Sequence, residues 1–400
     1  MDGESKPVSL NLMEFSNITP SFEEEPIESV GCIDALLFCL RLSGESISKV
    51  VLMGLSGEAF RFLYDRDDPL KGANTFFHNP LRASCTSLGY TYRISGDPSF
   101  DVAYEGLKEG LASMRKPGII RCGDRWAVVV GYEGDGSALL IFPPSPEVRA
   151  VGMVELEKLW PLELGFLELG PLARYWFILG EKEREPVLKD MYHGALRRGL
   201  RMMRFKKKIE GCSVGIMAFE ELLSSLSRKK RYSELPYESI IRLGLWNTYP
   251  LSLLLSGRRS LVRFLEIVYD EFFGEEWSPP SPPPEDPKER ERWEEMRKDS
   301  EKRRKEMSES ILKAIRLCKE QVKLLDEMRL VHPAVGRWSG RKDTLDSPDP
   351  EERKRAISSL KSDRKRAAKI AKRLWSLEYE MSREIEKFVW KAEVERTRRW

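Results

Sequence analysis

The chain has 400 residues, 41% hydrophobic and 33% charged, which suggests two or three domains with enough apolar material for their cores. Its 67 Lys and Arg nearly balance 64 Asp and Glu, for a formal charge of +3, so any nucleic-acid surface must be local rather than global. Six cysteines without a CxxC pair exclude a disulfide framework and a zinc site by spacing.

No apolar run approaches the roughly 18 residues that cross a bilayer, and the acidic, polar start "MDGESKPVSLNLMEF" does not read as a signal peptide. A soluble, cytoplasmic protein with no membrane partner is the expectation. Amides are scarce: Gln321 is the single glutamine, beside Asn11, Asn17, Asn74, Asn79 and Asn247. Many Lys, Arg and Glu with few thermolabile amides is the composition expected of a thermophile.

In chain order, residues 1–28 read as an extension. "SVGCIDALLFCLRLSGESIS" (29–48) then places Cys32 directly after Gly31, at the start of an apolar helix. "VLMGLSGEAFRFLY" (51–64) reads as a strand or a short helix broken by Gly54 and Gly57. "FDVAYEGLKEGLASMRK" (100–116) has a helical period, with Val102, Leu107, Leu111 and Met114 predicted on one side. Short β-branched and aromatic runs over 117–144 and 173–181, cut by Gly and Asp, read as antiparallel hairpins, one turning at Gly134–Gly136.

From 185 to 276 the pattern is helical. "WSPPSPPPEDP" (277–287) reads as a stiff proline-rich linker. A charged helix follows from about 288. Its first half is expected to be solvated, and its second half must bury Ile311, Ile315, Val322, Leu325 and Met328. A last helix over 350–396 is predicted to fold back on it as a hairpin, within the chain or across a homodimer.

A thiol at a helix N-terminus meets unpaired N–H groups and the positive end of the helix dipole, and both favour the reactive thiolate. A helix of this kind, followed much later by a β-hairpin, is how papain-like folds are built. "GCIDALLFCLRLSG" with "WAVVVGYEGDGSALLIFPP" resembles the papain-fold domains related to bacteriocin-leader peptidases. It resembles more closely still the butirosin biosynthesis protein H N-terminal domain. "YHGALRRGLRMMRF", "GCSVGIMAFEELLSSL" and "LWNTYPLSLLLSGRRSLVRFLE" are similar to the helical region that accompanies such domains, so the likeness spans about residues 29–275. Members with known chemistry are cysteine peptidases or a cysteine acyltransferase that uses a carrier-protein thioester.

The resemblance implies Cys32 at the nucleophile position. The family's histidine falls on Arg125, with Trp126 next and Gly131-Tyr132 closing the motif; the orienting acid falls near Pro143. The upstream oxyanion glutamine has no counterpart, since Gln321 is the only one. Arginine, with a pKa above about 12, cannot take the thiol proton or return it to a leaving amine. Peptide hydrolysis is therefore disfavoured. A thioester needs no such help, because its leaving thiolate has a pKa of only about 8.5.

Among the histidines, His78 is the one placed to approach Cys32, as a non-standard base, though a surface or capping role is the commoner outcome. His193 reads as helix surface or domain interface and His332 as loop. No pair has metal spacing, so neither metal nor cofactor is expected. Ser56, Glu58 and Arg61 are candidates for lining a cleft beside Cys32, with Arg125 and Trp126.

Residues 353–373 hold ten Lys or Arg against the single acid Asp363. That is either a phosphate-binding face or, as favoured here, a solvated face paired within the chain. Trp375, Trp390 and Trp400 read as packing anchors.

The expected class is α+β: a papain-like domain (29–182), in which the nucleophile-position helix packs on an antiparallel sheet, then an all-α domain (185–276). The linker (277–287) and a long charged helical hairpin (288–400) complete it. The expected function is a catalytically degenerate papain-like protein whose cleft binds a small molecule, peptide or acylated carrier. The alternatives are a cysteine-dependent acyltransferase acting through Cys32, and a nucleic-acid-associated protein using the 353–373 helix.

Overall fold

A computed structural model describes residues 31–68, 71–72, 76–123, 125–143, 145, 147–162, 173–227, 237–275, 282–331 and 349–397. The expected 1–28 extension, residues 277–281 of the proline-rich linker, His332 and Trp400 lie outside them.

In chain order the elements are α1 (Gly31–Leu42), α2 (Lys49–Ser56), β1 (Leu63–Tyr64), α3 (Pro80–Leu88), β2 (Tyr90–Asp97), α4 (Phe100–Met114), β3 (Gly118–Cys122) and β4 (Arg125–Tyr132). Then follow β5 (Ala138–Ile141), β6 (Val148–Val151), α5 (Met153–Leu159), β7 (Arg174–Lys182), α6 (Leu188–Met203), β8 (Ser213–Val214) and α7 (Ile216–Ser227). The long helices α8 (Tyr237–Phe273), α9 (Pro287–Val331) and α10 (Pro350–Thr397) close the chain. The protein is a mixed α+β chain with an antiparallel sheet and a long C-terminal helix.

Contacts divide it into two units, residues 1–58 with 78–187, and residues 59–77 with 188–400. The segment 59–77, expected in the first domain, belongs to the second, because Leu63 and Tyr64 pair with Val214 and Ser213.

In the first unit a six-stranded sheet runs in the order β2-β7-β3-β4-β5-β6, every pair antiparallel. The predicted hairpin is β4–β5. Its turn is closed by Gly136, at φ +85°, where a side chain would be strained. On one face α4 packs Phe100, Ala103, Tyr104, Leu107 and Leu111 against Ile120, Val129, Trp176 and Ile178. Val102, predicted on that face, is 57% exposed instead. Phe100 and Tyr104 bury more apolar surface, and their spacing with Leu107 and Leu111 turns Val102 outward.

Helix α1 contacts β3 and β4 and is buried continuously from Cys32 to Leu40, which accounts for its being apolar on nearly every side. Its one buried charge, Asp34, is met by Lys49 at 2.7 Å. The 51–64 stretch resolves into α2, capped by Ser48 and ended by Gly57 at φ +85°, with Gly54 inside the helix. The edge strand β2 has no counterpart among the predicted elements, although Tyr90, Tyr92 and Ile94 alternate with Thr91, Arg93 and Ser95 as a half-buried strand does.

In the second unit Phe62, Tyr64, Phe219, Leu222, Leu254, Leu325, Met328, Ile370 and Leu374 share one core. Helices α9 and α10 lie antiparallel, shown by Arg303 on Glu395 (2.9 Å), Lys313 on Glu384 (2.9 Å), Gln321 on Glu378 (2.8 Å) and Arg366 on Glu327 (2.7 Å). Helix α8 runs antiparallel to α9, with Arg259 on Asp326 and Lys319 on Glu266. Ile311, Ile315, Leu325 and Met328 are buried, so the apolar stripe of α9 is used within the chain. The first half of α9 is not wholly solvated as expected: Trp293, Ser300, Arg303 and Met307 are buried.

Candidate functional site

The start of β4 meets the start of α1. A Cβ added at Gly31 would lie 2.8 Å from Cδ1 of Trp126, so glycine is required there for the indole to rest on the helix start. Cys32, the next residue, is fully buried. The six cysteines are all buried, and none is joined in a disulfide. Burial pushes the Cys122 thiol up to about 12 and raises those of Cys39 and Cys85 further, holding them protonated.

Arg125 is the first residue of β4. Its guanidinium lies 4.9 Å from the centre of the Phe142 ring. Phe142 directly follows Ile141, the β5 residue paired with Val128. An aromatic face therefore meets the Arg125 guanidinium. The cation is stabilised by the ring quadrupole.

Ser56 and His78 come together at the end of α2. Ser56 is fully buried; its Oγ donates to the Met53 carbonyl (3.1 Å) and accepts from the Glu58 backbone N–H (3.2 Å). Nε2 of His78 lies 2.6 Å from the Ser56 carbonyl oxygen. A carbonyl only accepts, so Nε2 carries the proton, and any basic role falls to Nδ1. The Glu58 side chain is buried as well, 3% exposed. Arg61 falls in the second unit, where its guanidinium stacks 4.9 Å from the Phe76 ring centre, so it does not share a unit with Ser56 and Glu58. Among the described residues no group of three or more His, Cys, Asp or Glu side chains is placed to hold a metal.

His193, expected at a helix surface or a domain interface, lies buried against α10. It is 3% exposed, and its Nε2 donates to the Val389 carbonyl at 3.1 Å. In the basic helix, Arg366 pairs with Glu327, and Arg373 with Glu320 and Glu380. These arginines are neutralised within the unit, which weakens the phosphate-binding reading; the side chains of 352–354, 356–357 and 359–361 lie outside the described residues. Trp390 is 66% exposed, not a packing anchor, whereas Trp375 packs on the core and donates to Glu220 at 3.2 Å.

Sequence reasoning missed a buried charge cluster. Arg258 and Glu378, both fully buried, are 2.8 Å apart. Gln321 donates to the same carboxylate, and Arg258 Nη1 donates to the Ala59 carbonyl at 2.9 Å. The available signal was Gln321, the one glutamine in a chain otherwise free of that residue.

The fold so described defines a mixed α+β protein whose cysteine-bearing helix packs on an antiparallel sheet. No family model and no curated protein matches the chain. Among the described residues no helix is long and apolar enough to cross a membrane.

Proposed function

We propose that this is a catalytically degenerate papain-like protein, acting in the cytoplasm, whose first unit binds a small molecule, peptide or acylated carrier. The observation that carries the reading is at the start of β4, where Arg125, which the resemblance puts in the place of the base, stacks on Phe142. Cys32 meanwhile lies buried beside a tryptophan that covers the start of α1. A thiol nucleophile needs a base to ionise it and an open face to receive its substrate, and both requirements work against turnover here. Loss of turnover leaves a binding role for the unit.

The test is the alkylation rate of each cysteine in the folded protein against pH, read by peptide mass spectrometry. Cys32 is expected to react no faster than the other five. Fast, selective reaction of Cys32 with an apparent pKa well below the roughly 8.5 of a free thiol would overturn the degenerate reading. Acyl transfer from a thioester would then be the chemistry to assay, since Cys32 is the second residue of α1, where the helix dipole favours a thiolate.

A further inference from the structure

A cavity of about 300 Å³ lies within the second unit, lined by residues of α6, α8, α9 and α10. It is independent of the Cys32 region. Its volume is at the low end for ligand sites, which restricts an occupant to roughly the size of one amino acid.

The lining combines three kinds of surface. Phe272, Phe273 and Met307 supply an apolar wall. Arg304 supplies a cation, its guanidinium 5.2 Å from the Phe273 ring centre and one Nη2 bond donated to the Glu275 carbonyl. Burial pulls the Arg304 pKa below its ordinary value, and Glu395 only partly offsets this; an anion in the cavity would restore the lost solvation.

Glu395 supplies the opposite charge. Its Oε1 accepts from Ser300 (3.0 Å) and Arg303 (2.9 Å). Its Oε2 accepts no hydrogen bond among the described residues. His193 adds a ring nitrogen: with Nε2 committed to the Val389 carbonyl, Nδ1 is the atom left to meet a ligand, and nothing among the described residues bonds to it.

Lys189 and Asp190 complete the charged lining with one charge of each sign, so the cavity is neutral overall but polarised. A simple anion would meet two carboxylates, and a simple cation would meet Lys189 and Arg304. A molecule carrying both charges satisfies both sets. We infer that this cavity binds a small zwitterion with an apolar side chain, the class of the apolar and aromatic α-amino acids. Its carboxylate faces Arg304, its ammonium group faces Glu395 and His193, and its side chain lies on Phe272, Phe273 and Met307.

The test is calorimetric titration of the full chain with L-phenylalanine and three relatives: phenethylamine, 3-phenylpropionate and toluene. Phenylalanine is expected to bind best. Removing either charge should weaken binding roughly tenfold or more, the loss of one charge-assisted hydrogen bond. Met307→Trp, which fills the cavity with an apolar ring, should abolish binding while the circular dichroism spectrum stays unchanged. No binding of phenylalanine overturns the inference. So does equal binding of toluene, or binding that survives Met307→Trp in a folded protein. The ligand series uses the native chain, so it decides the matter by itself if the variant fails to fold.

Discussion

Replacing Arg258 with Met strips the guanidinium from a site without solvent access. Arg258 Nη2 donates to both oxygens of Glu378, at 2.8 and 3.0 Å, and Nη1 donates to the Ala59 carbonyl. The variant leaves a buried carboxylate with the Gln321 amide as its remaining described donor, at 2.8 Å. Removing one partner of a buried pair costs about 3–5 kcal/mol, because the other charge stays behind without its counter-ion.

At about 2–4 °C per kcal/mol for a unit of this size, the unfolding midpoint should fall by roughly 6–20 °C. Replacing Glu378 with Met as well removes the stranded charge, and the double variant should regain most of the loss. Among the described residues Arg258 Nε and Gln321 Oε1 already lack partners, so the native cluster carries desolvation cost that an apolar pair would avoid. The assay is urea and thermal unfolding of the wild type, both single variants and the double variant, followed by circular dichroism. A loss below about 1 kcal/mol for Arg258→Met, or a double variant no better than the singles, would refute the reasoning. Either result would mean that the charges are solvated or never paired.

Two further outcomes follow from the first unit. Trp126→Ala removes the indole from the start of α1 and should raise the Cys32 alkylation rate at least severalfold relative to the other five cysteines; an unchanged ratio would show that the indole does not shield the thiol. Glu45 is held below its ordinary 4.5, first by the hydrogen bond from Lys182 and next by that from Tyr90. A depressed carboxylate contributes stability above its unfolded pKa and loses it as pH falls through the folded value. Glu45→Gln should therefore flatten the loss of stability below about pH 4.5. Both side chains of the ion pair are about a quarter exposed (25% and 26%), so the difference should stay within about 1 kcal/mol; parallel pH profiles would remove Glu45 from the acid response.

The sequence by itself determined the local elements whose signal repeats at short range. The apolar run Cys32–Leu40, the turn at Gly134–Gly136 and the stripe of Ile311, Ile315, Leu325 and Met328 each encode periodicity and turn chemistry that neighbouring residues enforce. The juxtaposition of Gly31 with Trp126 was legible only through the resemblance, which implied that the start of α1 and the start of β4 meet. What Arg125 touches was not, since its partner Phe142 comes from the next strand and depends on the β4–β5 register.

Tertiary structure alone decided the rest. Residues 59–77 joined the second unit because Leu63 and Tyr64 found a strand about 150 residues later. Arg61 went with them, away from the unit that holds Ser56 and Glu58. His193 was buried against α10 through a carbonyl 196 residues distant. The cavity and the Arg258–Glu378–Gln321 cluster each need several helices at once. No local pattern announces such contacts, because a buried charge or a polarised cavity is stable only when side chains far apart in sequence meet and satisfy one another.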